Sequence, residues 1–90
     1  MEDLTAYEPI EIRVQGPRIG FAEDQLILDP DLSHGAVHLY VCMTMHMGSA
    51  GNGTIPPIPQ LAEEIGESLD TTYRYEDELF QAGYVLRAEA

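Results

Sequence analysis

Ninety residues with four Lys+Arg against 16 Asp+Glu, a formal charge of −12, make one small and strongly acidic domain. That length excludes a multidomain enzyme and the large cofactor folds, such as a barrel or a full dinucleotide-binding sheet. All four cations are arginines (Arg13, Arg18, Arg74 and Arg87), and a surface of this sign repels phosphate backbones and anionic membranes.

The chain starts MEDLTAYEPIEI, without the basic region and apolar core of a secretory signal. No apolar run approaches the ~20 residues of a membrane span. The expectation is a soluble, cytoplasmic protein with no membrane association. Residues 1–8 are expected to form a flexible acidic N-terminus and residues 9–90 a single domain. Residues 10–14 (IEIRV) alternate apolar and polar, with Ile10, Ile12 and Val14 on one side, which predicts a strand closed by Gly16-Pro17. Glu23–Leu28 reads equally as a short helix or a strand, ended by Asp29-Pro30. From Leu32 to Ala62 no Asp, Glu, Lys or Arg occurs.

Within that stretch Ser33 is placed to cap a helix running to about Met47. Ala36, Leu39, Tyr40, Met43 and Met47 fall on its core stripe. Gly48–Gly53 reads as a flexible loop, and the prolines of Thr54–Pro59 keep that segment extended. A short helix follows over Pro59–Ile65, with Leu61, Ala62 and Ile65 inward and Gly66 as its left-handed stop. Ser68 caps a third helix over Leu69–Ala82, its inward residues being Leu69, Thr72, Tyr75 or Glu76, Leu79 and Phe80. Gly83 ends that helix, and Tyr84-Val85-Leu86 reads as a final strand. The predicted fold class is mainly α with a small β-sheet.

The run Leu61-Ala62-Glu63-Glu64-Ile65-Gly66-Glu67-Ser68-Leu69-Asp70-Thr71-Thr72 has a small residue where two helices cross and a glycine at the turn. With Leu79-Phe80-Gln81-Ala82-Gly83-Tyr84-Val85 after it, the sequence resembles winged helix-turn-helix domains. The likeness spans about residues 20–86. Asp31–Tyr40 is similar to the first-helix entry of such modules in actinobacterial phage and plasmid regulators and replication initiators. The resemblance implies a winged fold, here with an abridged wing and an N-terminal strand. It also implies DNA binding by a dimer through the second helix of the motif, with Thr71, Tyr73, Arg74 and Arg87 as candidate contacts.

The charge count opposes that implication. Specific binders neutralise about 6–10 phosphates, and this chain owns four scattered arginines. Asp70 and Asp77 would face the phosphates. The favoured reading is therefore an acidic regulatory module that binds proteins, as an adaptor, an antagonist or a mimic of DNA charge. Its expected partner is basic, and its expected contact face is Glu63, Glu64, Glu67, Asp70 and Asp77.

One further row stands out. His34, His38, Cys42 and His46 recur every four residues on the first long helix, and at most two or three of them converge. No acidic ligand lies near them on that helix, so the row reads as an uncharged outer face and no metal or other cofactor is expected. A helix uncharged all round needs covering all round. Either the N-terminal strand covers that side or a second copy does, and a homodimer through His38, Val41, Cys42, Met45 and His46 is the favoured expectation. Catalysis is not expected. Cys42 lacks a neighbouring cation, Ser33-His34 sits on no nucleophile elbow, and Gly51-Asn52-Gly53 lacks the Lys of a phosphate loop.

Overall fold

The computed structural model describes residues 11–13, 15–16, 18–48 and 53–86. Among these residues four helices follow one another: α1 (Asp24–Ile27), α2 (His34–Met47), α3 (Ile58–Ile65) and α4 (Leu69–Gln81). α2 packs against both α3 and α4, and these two pack against each other.

The helix boundaries follow the cap chemistry. Ser33 Oγ accepts the Ala36 N–H at 3.2 Å and starts α2. Ser68 Oγ accepts the Thr71 N–H at 3.1 Å and starts α4. Pro57 and Pro59 flank the first residue of α3, where their missing donors cost nothing. Gly66 ends α3 at φ 73° and ψ 31°, a left-handed conformation that side-chain-bearing residues adopt at a cost. Its turn is closed by Glu67 N–H to the Ala62 carbonyl (3.0 Å) and Gly66 N–H to that of Glu63 (3.2 Å).

The core is Leu26, Leu32, Ala36, Leu39, Cys42, Met43, Leu61 and Leu79. Leu26 brings α1 into it, and Leu61 and Leu79 bring α3 and α4 against α2. Ala62 is buried, as a close helix crossing needs. A fourth clamp comes from Glu78 on α4. Its carboxylate accepts the Ser33 N–H at 2.9 Å and the Ser33 hydroxyl at 2.8 Å, placing negative charge at the N-terminus of α2.

The fold differs from the sequence expectation in its sheet. Among the described residues there is no strand, so the small β-sheet, the N-terminal strand and the abridged wing are corrected to an all-helical arrangement. Residues 84–86 do not extend into a ladder because the end of α4 takes them: Gly83 N–H bonds the Phe80 carbonyl (3.1 Å) and Tyr84 N–H that of Leu79 (2.9 Å). The Tyr84 hydroxyl then reaches the Asp29 carboxylate at 3.2 Å. Among the described residues, nothing then pairs with residues 11–13 of the alternating pattern. Residues 11–13 are exposed and in no strand, while Ile10 and Val14 lie outside the described residues. The ambiguous segment Glu23–Leu28 is helical. Leu69, expected inward, is 44% exposed. The boundary at residue 8 and most of the glycine-rich loop (49–52) also lie outside the described residues. No helix among the described residues is long and apolar enough to cross a membrane.

Candidate functional site

Two regions hold the residues singled out in the sequence. The first is the outer side of the α3–Gly66–α4 unit. Glu63, Glu67, Asp70 and Asp77 are exposed there. Leu69 and Tyr73, one turn apart on α4, are 44% and 47% exposed and add an apolar strip beside the acids. Arg74 is the one cation in the sequence of α4, and its Nη2 lies 3.3 Å from Thr71 Oγ1 of the preceding turn. Thr71 in turn accepts a bond from the Ser68 hydroxyl at 2.9 Å. Thr71 and Arg74 thus meet on one side of α4, whereas Tyr73, two residues from Thr71, is exposed on another side, Arg18 lies against α2 and Arg87 lies outside the described residues.

Glu64, expected on the same acidic face, is drawn away from it into the second region. This is a cleft between α2 and α3. Glu64 Oε1 accepts from His46 Nε2 at 2.7 Å and from the Cys42 thiol at 3.2 Å. Its other oxygen accepts the Gln60 amide at 3.2 Å, from one turn earlier on α3. These three bonds, that of His46 first, hold the Glu64 carboxyl down at about 2. Burial, and then the adjoining Glu64 carboxylate, push the Cys42 thiol up to about 11. A thiol in that state is a poor nucleophile.

The Arg18 guanidinium lies 3.3 Å from His46 Nδ1. A guanidinium can only donate, so Nδ1 accepts and Nε2 carries the proton that goes to Glu64. The rest of residues 18–22 follows the same side of α2 in extended form. Thr44 Oγ1, buried, accepts the Phe21 N–H at 2.8 Å and lies 3.0 Å from the Phe21 carbonyl. Gly20 runs so close to α2 that an added methyl would sit 2.7 Å from the Val41 carbonyl. An N-terminal segment therefore covers much of the uncharged side of α2, without forming a strand. Of the residues assigned to a dimer interface, Cys42 is buried, Val41, Met45 and His46 are partly buried, and His38 is exposed.

Sequence reasoning missed Glu78 as a clamp on α2, because its place in Glu76-Asp77-Glu78 looked like a solvated acidic run. It also missed the meeting of Glu64 with Cys42 and His46. The i, i+4 spacing of Cys42 and His46 was visible, but their acidic partner lies on another helix. No family model matches this chain, and neither does any curated protein or solved structure.

Proposed function

We propose that this chain is a small acidic helix-turn-helix module that regulates by binding a basic protein, as an adaptor, an antagonist or a mimic of DNA charge toward a transcription or replication component. The observation that carries this reading is the outer side of α3 and α4. Glu63, Glu67, Asp70 and Asp77 are exposed along α3, the turn after it and α4, as are the apolar Leu69 and Tyr73, and Arg74 is the single cation of α4. Exposed aromatic and aliphatic side chains on the same two elements as exposed charges suit a protein interface. The same charges oppose a duplex, whose affinity rests on phosphate neutralisation.

The test is fluorescence anisotropy with a labelled arginine-rich peptide and a labelled DNA duplex over graded salt. The peptide binds and the duplex does not. Replacing Glu63, Glu67 and Asp70 together by their amides weakens the peptide about tenfold, at ~0.2–1 kcal/mol for each exposed ion pair lost. The same change at Glu11, Glu23 and Asp31, equal in charge and elsewhere on the surface, has little effect. Equal weakening by the two triple variants means that net charge alone acts, and it overturns the proposed face. Duplex binding that Arg74→Ala abolishes overturns the reading in favour of a dimeric DNA-binding regulator using Thr71, Tyr73 and Arg74.

A further inference from the structure

The cleft between α2 and α3 gathers a sulfur, an imidazole nitrogen and a carboxylate oxygen at one point. Cys42 Sγ, His46 Nε2 and Glu64 Oε1 all lie within 4.8 Å of one another. Two come from successive turns of one helix and the third from the helix packed against it, so the backbone of the core fixes all three. We propose that Cys42, His46 and Glu64 form a binding site for a borderline-soft divalent transition-metal ion, zinc foremost, with its fourth position open to solvent.

The donor set suits this class of ion. Thiolate, imidazole and carboxylate are the three ligand types zinc takes, and three protein ligands with an open fourth position is a common arrangement for it. Two of the three donor–donor distances need little adjustment, and the third, Cys42 Sγ to His46 Nε2, lies within 4.8 Å. Tetrahedral bonds of about 2.0–2.3 Å put neighbouring ligand atoms about 3.3–3.6 Å apart. Nε2 and Oε1 therefore open slightly from 2.7 Å, and Sγ and Oε1 from 3.2 Å. Burial is graded from Cys42, at the bottom, through His46 to Glu64 at the rim, which leaves the open position toward water. The outer oxygen of Glu64 is already held by the Gln60 amide, an outer-shell bond of the kind that fixes a ligating carboxylate.

Binding changes protons at two residues. The Cys42 thiol gives its proton to solvent and coordinates as thiolate. The His46 proton moves from Nε2 to Nδ1, so that Nε2 can donate its lone pair to the ion. Nδ1 then no longer accepts from Arg18, and the guanidinium must leave. Arg18 sits in an exposed extended segment, so its release is cheap, but it competes with the ion. Metal occupancy is thereby coupled to release of the Arg18 guanidinium from His46, while Phe21 and Gly20 keep the rest of the segment on α2.

Cobalt(II) titration of the purified, chelator-treated full chain tests this. The expected result is one ion per chain, with a thiolate-to-cobalt charge-transfer band in the near ultraviolet and strong visible bands of four-coordinate cobalt, both lost on adding zinc. Cys42→Ser removes the charge-transfer band. Glu64→Gln and Gln60→Ala, both at exposed positions that spare the core, each weaken the ion by about tenfold or more, whereas His38→Ala leaves it unchanged. Arg18→Ala tightens it. Absence of the charge-transfer band in the wild-type chain overturns the proposal. So does a Glu64→Gln variant that binds cobalt as the wild type does, or a His38→Ala variant that loses the ion.

Discussion

Glu63 and Glu64 are neighbours on α3 and have opposite surroundings. Glu63 points to solvent among the acids of the outer side, while Glu64 turns into the α2–α3 cleft and takes bonds from His46, Cys42 and Gln60. One step along a helix turns a side chain by ~100°, enough to move it from an open surface to a helix–helix seam. The outer side acts through the sign and number of its charges, which solvent screens. The cleft acts through the positions of a few atoms, set by the helices behind them.

The widest break in that comparison comes from the core residue both regions rest on. Leu61 is fully buried on α3, between the acidic side and the cleft. Leu61→Ala is expected to cost about 2–5 kcal/mol, a large part of the stability of a domain this size. Thermal or urea denaturation measures it. Peptide binding and cobalt binding should then fail together, because α3 no longer holds either region in place.

A smaller and more selective break lies at the crossing of α2 and α4. A methyl on Gly35 would overlap the outer end of the Tyr75 ring, so that ring lies over α2 because Gly35 has no side chain. Gly35→Ala is expected to cost about 1–3 kcal/mol as overpacking. It moves α4 and leaves the α2–α3 seam closer to its original form. Peptide affinity should therefore drop further than cobalt affinity, with a lowered denaturation midpoint recording the cost.

How much of this was legible beforehand follows from the range of the forces involved. Ser33, Gly66 and Ser68 act within a few residues of themselves, and the helix ends they predict are those observed. The strands needed partners from elsewhere in the chain. Tyr84 N–H and the Tyr84 hydroxyl are instead engaged by Leu79 and Asp29, so a period-two pattern at residues 10–14 signalled nothing by itself. Leu69 was misplaced because it sits at the very start of α4, where an apolar residue in step with the core stripe can still project past the edge of α3. The outer acidic side was visible as a charge count. The cleft was half visible, since Cys42 and His46 share a face of one helix. The missing half is a contact across 18 residues of sequence from His46 to Glu64, set by tertiary packing.

The finest contrast is between the two glutamates themselves, read by pH in the presence of chelator. The hydrogen bonds from His46, Cys42 and Gln60 lower the Glu64 carboxyl from 4.5 to about 2, so the folded chain keeps it ionised where the unfolded chain protonates it. A depressed carboxylate stabilises the fold above its unfolded value, and that contribution fades as pH falls from about 4.5 toward about 2. Glu64→Gln should thus melt below the wild type at pH 6, with the gap closing as the pH approaches 2. Glu63→Gln should stay within about 0.5 kcal/mol of the wild type at pH 6, as a surface change does. Cys42 acts at the other end of the scale. Its thiol is raised from 9.0 to about 11, so the unfolded chain ionises first and the fold loses stability as pH rises through that interval. Parallel melting curves for Glu63→Gln and Glu64→Gln across the acid range would mean that the seam treats Glu64 as solvent does, and the distinction between the two neighbours would be gone.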